Sequence, residues 1–182
     1  YNEKIKSGTQ NFTPVLTKIK SQNPDAVYFS GYYSDGGLIK SQMAQLGINA
    51  EFVGANANDN VDFAKLAGGA AKGTIIINVP APELLPYDVA KQFLADYKAK
   101  YKMDPPSIWT LLNADGLRAI LHGIEQTKST DTKKIADYLR SMEPFPGLSG
   151  SLKWDEKGER IGSAYMAYEM DASGKYKVIY SE

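Results

Sequence analysis

The 182 residues contain no cysteine and a single histidine. Without cysteine there are no disulfides, no thiolate chemistry and no Cys-based metal site. One histidine and no cysteine argue against a Ser-His-Asp or Cys-His catalytic centre. An excess of one charge is lacking too. Lys+Arg 21 balance Asp+Glu 21, so the basic stripe expected of a nucleic-acid-binding protein is absent. No apolar run approaches the ~18 residues needed to span a membrane. No signal peptide is visible and Tyr1 is not a natural start, so the expectation is a mature product or a fragment. The lack of cysteine fits an extracytoplasmic protein. Repeats and low-complexity segments are absent. The length suffices for one largish domain or two small ones with a real core. The 12 tyrosines are generous, and their apolar rings with polar tips suit a pocket wall.

Hydrophobic periodicity organises the chain. Asn11–Lys20 reads as a helix with Phe12, Val15, Leu16 and Ile19 at helical spacing and Pro14 near its start. Asn23-Pro24-Asp25 is a turn. Ala26–Ser30 reads as a buried strand ending in Gly31-Tyr32-Tyr33-Ser34-Asp35-Gly36-Gly37. The helix that follows runs from about Leu38 to Leu46, with Ser34 or Asp35 as its cap. Glu51–Val53 is a second strand, ending in the polar loop Gly54–Asn60. Val61–Ala67 reads as a short helix with Phe63 and Leu66 inward, and Thr74–Val79 as a fully buried strand. Pro80–Pro86 holds three prolines and is the best candidate for a crossing between lobes. Helices are expected over Asp88–Tyr101, Ile108–Gln126 and Thr130–Met142. The second of these is apolar nearly all round and hence central. Strands over Ser151–Trp154, Ala164–Met170 and Lys175–Tyr180 close the chain. The alternation predicts an α/β class with a mainly parallel sheet. In such sheets ligands bind outside the carboxyl ends of the strands. Two successive ends here carry glycines and hydrogen-bonding side chains, which suggests a small-molecule binding wall.

Three stretches carry a family resemblance: Gly31-Tyr32-Tyr33; Leu66-Ala67-Gly68 with Ala71-Lys72-Gly73; and Leu152-Lys153-Trp154-Asp155-Glu156-Lys157-Gly158. With them the whole chain resembles the carboxyl-terminal half of a periplasmic leucine/isoleucine/valine-binding protein, a type I solute-binding protein of branched-chain amino acid ABC transporters. The resemblance implies Rossmann-like parallel-sheet lobes joined by crossovers, with the amino-terminal part of the family fold missing. It implies that residues 1–79 are part of the second lobe, that 80–162 are part of the first lobe after the proline-rich crossing, and that 163–182 return to the second. It implies a non-enzymatic protein that binds an amino acid, or a related small carboxylate or amide, between the lobes and presents it to a membrane permease. The setting would be periplasmic or otherwise extracytoplasmic. No cofactor, metal or nucleic acid is implied. A ligand-sensing receptor domain of the same fold is the alternative. A half-length chain is also expected to pair with the missing amino-terminal half or with another copy of itself.

By resemblance, Tyr32 matches a tyrosine that lies against the bound amino acid, and its place just past a strand supports this independently. Tyr33 and Ser34 are lesser ligand candidates by adjacency. Asn56 falls where the family has a carboxylate that pairs with the ligand's ammonium. An asparagine offers no charge, and a charge-assisted bond is roughly twice as strong as a neutral one. Either Asp59 takes that role in a shifted loop, or the ligand is an amide, keto acid or aromatic acid without an ammonium. Trp109 sits where the family places a first-lobe aromatic at the cleft edge, whereas Trp154 belongs to a structural turn.

Other patterns fall away. Asn56, Asn58, Asn60 and Asp62 alternate like a calcium loop, but the sixth and twelfth positions are Val61 and Ala67 rather than Gly and Glu. Gly68–Gly73 lacks phosphate-loop spacing. His122 has no acidic partner at metal-ligand spacing. Glu156, Lys157, Glu159 and Arg160 read as a solvated turn.

Overall fold

A computed structural model describes residues 1–162 and 165–181. In chain order the elements are α1 (Thr13–Ser21), β1 (Ala26–Phe29), α2 (Tyr33–Gln45), β2 (Glu51–Gly54), α3 (Val61–Ala67), β3 (Ile75–Asn78), α4 (Asp88–Tyr101), α5 (Trp109–Thr127), α6 (Thr132–Ser141), β4 (Phe145–Gly147), β5 (Gly150–Leu152), β6 (Met166–Met170) and β7 (Tyr176–Ser181). They fall into two compact units: a sheet unit, Tyr1–Val79 with Tyr165–Glu182, and a helical unit, Pro80–Ala164. The expected return to the second lobe begins at Ser163 and the expected strand at Ala164. Both residues, and Glu182, lie outside the described residues.

The sheet unit carries five strands in the order β1-β2-β3-β6-β7. β1, β2 and β3 are parallel, whereas β6 and β7 pair antiparallel. The α/β class holds, and the sheet is mixed. The antiparallel part follows from connectivity. β6 and β7 are joined by the tight turn Asp171–Gly174, in which the Asp171 carboxylate accepts from the Ser173 and Lys175 N–H groups, and a turn this short can only reverse the strand. The core lies where α1, α2 and α3 cover the sheet, around Phe12, Leu16, Met43, Phe52, Phe63, Ile76 and Met170.

Burial departs from the sequence pattern at both β1 and β3. β1 alternates exposed and half-buried residues, with Tyr28 64% exposed, because Val27 and Phe29 pack against the core while Ala26 and Tyr28 lie on the opposite face. β3 also alternates and leaves Ile77 partly exposed, so only one of its faces is covered. In α3 Phe63 is buried as expected, but Ala67 rather than Leu66 is its buried partner. Neither Ser34 nor Asp35 caps α2. Tyr32 is the N-cap residue, without a side-chain bond, and Asp35 instead accepts from the Ser7 hydroxyl and the Gly8 N–H. That carboxylate still lies in the first turn, where it favours the helix dipole.

Gly36 and Gly37 let α2 lie close to α3. A Cβ on Gly36 would collide with Asn58 Oδ1, and one on Gly37 would lie 2.6 Å from Leu66 Cβ. Gly116 of α5 has nothing within 4 Å of such an atom. Opposite outcomes are therefore expected from the same chemical change. Gly116→Ala should stabilise by roughly 0.5–1 kcal/mol through helix propensity. Gly36→Ala should destabilise by about 1–3 kcal/mol through overpacking, outweighing the same propensity gain. Urea denaturation of the two variants checks the pair.

In the helical unit Asp131 caps α6 by accepting from the Lys133 and Lys134 N–H groups. α5 is not enclosed on all sides. Leu111, Asp115, Ala119 and Gly123 form its buried line, while Leu117, Ile120 and Leu121 are about half exposed. The expected central position therefore does not hold: apolar residues run nearly all round the helix, but one face is uncovered. Arg160 also departs from the expected solvated turn. Its guanidinium donates to the Ser149 hydroxyl and to the Ser149 and Ser151 carbonyls. Trp154 pairs with Arg160 in an isolated bridge, and Asp155 closes the intervening turn by accepting from the Lys157 and Glu159 N–H groups.

Candidate ligand-binding wall

The wall is built from two adjacent strand ends. β1 and β2 run in register up to Phe29 beside Gly54, and the Ala55 N–H donates to the Phe29 carbonyl at 2.9 Å. The segments carrying Tyr32 and Asn56 are thus neighbours because parallel pairing delivers both strands to the same end. Tyr32 is extended (φ −80°, ψ 155°), and its carbonyl accepts from the Asp35 and Gly36 N–H groups to open α2. Its side chain is 66% exposed. Tyr33 is half-buried and packs against the core, while Ser34 is exposed. Asn56 opens a short 3-10 turn, Asn56–Asn58, and is half-buried.

Asn58, in that turn, is fully buried. Its Nδ2 donates to the carbonyls of Gly31 (2.9 Å), Phe29 (3.2 Å) and Ala55 (3.2 Å). The asparagine alternation drew attention to this loop, but nothing in the sequence separates Asn58 from Asn56 and Asn60. Only the return of the chain past Phe29 and Gly31 does so. Asn60 caps α3 by accepting from the Asp62 N–H.

Asp59 is engaged within the sheet unit. One carboxylate oxygen accepts from Asn78 Nδ2 at 2.7 Å, and the Tyr176 hydroxyl also donates to the carboxylate. Burial first, then the negative charge of Asp59 and the hydrogen bond to it, push the Tyr176 hydroxyl well above the usual tyrosine range. An acid raised in this way gives stability that is full below its unfolded pKa and lost as pH rises beyond it. Unfolding free energy should therefore fall above about pH 10, by at most about 1.4 kcal/mol per pH unit. Tyr176→Phe should remove that part of the slope, as read from urea titrations across the alkaline range.

Trp109, at the start of α5 in the helical unit, is 39% exposed, and its carbonyl accepts from Asn113 Nδ2. His122 in the same unit stacks on Phe145 (centroids 4.5 Å apart) and lies 3.2 Å from the Tyr138 hydroxyl. No group of three or more acidic or histidine side chains among the described residues could hold a metal ion. No helix there is long and apolar enough to cross a membrane. A separate groove of about 1010 Å³ follows the outer side of β1, lined in part by Ile5, Val15, Ile19, Val27 and Tyr28, and reaches Tyr32 but not Asn56.

A strand-end wall on an α/β sheet is the architecture of a small-molecule binding fold, and comparison with known proteins gives the class. The chain belongs to the periplasmic binding protein family, whose model matches residues 1–175. It is 31% identical over 168 residues to the leucine-, isoleucine-, valine-, threonine- and alanine-binding protein of Pseudomonas aeruginosa, covering 92% of this chain and 44% of the relative. The leucine-binding protein of Thermotoga maritima superposes with a TM-score of 0.87 at 30% identity, over 97% of this chain and 50% of that one. The branched-chain amino acid binding protein of Streptococcus pneumoniae, solved with isoleucine, gives 0.77 at 25% identity, over 97% and 49%. The chain thus spans about half the length of the relatives it matches, and its fold is the corresponding part of a type I periplasmic binding protein.

Proposed function

We propose that this chain forms one wall of the ligand site of an ABC-importer solute-binding protein, taking a small amino acid of the branched-chain type. The observation that carries this is the exposed Tyr32 beside Asn56 on adjoining strand ends, in a chain matched to the family over 175 residues. Tyr32 supplies an apolar ring to the ligand and Asn56 a hydrogen bond. Tyr33 and Ser34 flank Tyr32, and Trp109 is a further ligand-contact candidate by the family resemblance alone. In this reading 1–79 and 163–182 are second-lobe segments and 80–162 are first-lobe. The membrane permease of the importer is the partner, in the periplasm or another extracytoplasmic space. The proposal includes no catalytic step and no cofactor. The open edge of β1 and the half-exposed apolar face of α5 suit pairing with a segment equivalent to the other half of the relatives, or self-association.

A second reading concerns the ligand's ammonium, and the state of Asp59 favours it. With Asp59 engaged by Asn78 and Tyr176, Asn56 is left as the polar group offered to the ligand, and it brings no charge. The site would then discriminate weakly between an amino acid and its keto acid. Calorimetric titration with isoleucine and with its keto-acid counterpart separates the readings. A preference for isoleucine of tenfold or more, about 1.4 kcal/mol, supports ammonium recognition; equal affinity supports the neutral wall.

A further inference from the structure

Asn58 places one nitrogen against the two peptide units on which the candidate wall depends. The Gly31 carbonyl belongs to the peptide bond leading into Tyr32, and the Ala55 carbonyl to the one leading into Asn56. Nδ2 donates to both, and to the Phe29 carbonyl that already receives the Ala55 N–H. Oδ1 is buried with no partner among the described residues. Room for the side chain comes from two glycines. A Cβ on Gly36 would strike Oδ1, and one on Gly54 would come within 2.9 Å of Asn58 Cβ.

We propose that Asn58 is a positioning residue for ligand recognition, a single amide clamp that sets the relative placement of Tyr32 and Asn56. The proposal rests on reading those two residues as ligand contacts. Only a donor serves here. An aspartate of the same shape would set an oxygen against three carbonyl oxygens, and a serine hydroxyl has one proton where the amide has two.

Three measurements test it. In the unaltered chain, the Asn58 side-chain amide protons should exchange with solvent about tenfold or more slowly than those of half-buried Asn56; equal rates would overturn the clamp, without any variant having to fold. In Asn58→Asp and Asn58→Ser, amide protection should fall at Ala55, and the resonances of Tyr32 and Asn56 should broaden, while Phe52 and Ile76 keep their protection. Uniform loss across the sheet would show a merely structural residue and overturn the proposal. In isoleucine titrations Asn58→Asp should weaken affinity about tenfold. In a Tyr32→Ala, Asn56→Ala background the same change should cost less than about twofold, because its targets are gone. Strict additivity would overturn the coupling. Unchanged isoleucine binding in that background, with Asn58 still protected, would sink the ligand reading of Tyr32 and Asn56 and leave the clamp as backbone geometry alone.

Discussion

Asp115→Ala is expected to lower the stability of the helical unit by about 3–5 kcal/mol, the range for breaking a buried charged cluster by removing one partner. Asp115 is 3% exposed in the middle of α5. Its carboxylate accepts from the Leu148 N–H at 2.6 Å, the Ser149 N–H at 2.8 Å and the Ser149 hydroxyl at 2.6 Å. Arg118 lies 3.5 Å away, and Arg160 joins through the Ser149 hydroxyl. Alanine would leave the N–H groups of the β4–β5 turn without acceptors and remove the negative charge facing Arg118. A buried donor left unsatisfied costs about 1–3 kcal/mol. Asp115→Asn should lose less, since one acceptor oxygen remains. Urea unfolding followed by Trp109 and Trp154 fluorescence reads the helical unit directly. A loss below about 1 kcal/mol would mean that the turn closes without the carboxylate.

The second large effect is on recognition. Tyr32→Ala should weaken binding of a branched-chain amino acid by roughly 30-fold, about 2 kcal/mol, the scale for removing an anchoring tyrosine. Stability should change little, because the ring is 66% exposed and Tyr32 caps α2 through its backbone alone. Tyr32→Phe should keep most of the affinity if the ring face is what matters. Calorimetry with thermal unfolding on the same samples separates lost contact from lost structure.

The sequence made some of this architecture readable and hid the rest for identifiable reasons. α3 and α4 begin and end where their apolar periodicity begins and ends, at Val61–Ala67 and Asp88–Tyr101. Local signals suffice there: a polar cap residue and glycine around α3, and Met103-Asp104-Pro105-Pro106 after α4. The α/β class and the strand-end placement of Tyr32 and Asn56 were legible because strand-helix alternation forces parallel crossovers. Burial was not. An apolar run such as Ala26–Phe29 looks the same whether one or both faces of a sheet are covered, and only the packing of the core against Val27 and Phe29 leaves Tyr28 exposed. The sequence does not point to Asp115, and the bonding of Asn58 and Asp35 is not readable from it, because the partners that fix these side chains include groups 27 to 34 residues away, beyond any local pattern. Arg160 reads as solvated from its charged neighbours alone, although its partners lie only 9 and 11 residues back. Its acceptors sit on the preceding hairpin, and charge composition alone does not reveal them.

The central claim is that Tyr32 and Asn56 face the ligand. Backbone amide shift mapping by NMR during titration with isoleucine tests it most directly, since it registers weak as well as tight binding. The account predicts that the largest shifts fall on Gly31–Ser34 and Ala55–Asn60, with little change around the turn Asp155–Gly158. Shifts centred elsewhere, or none at saturating isoleucine, would contradict it.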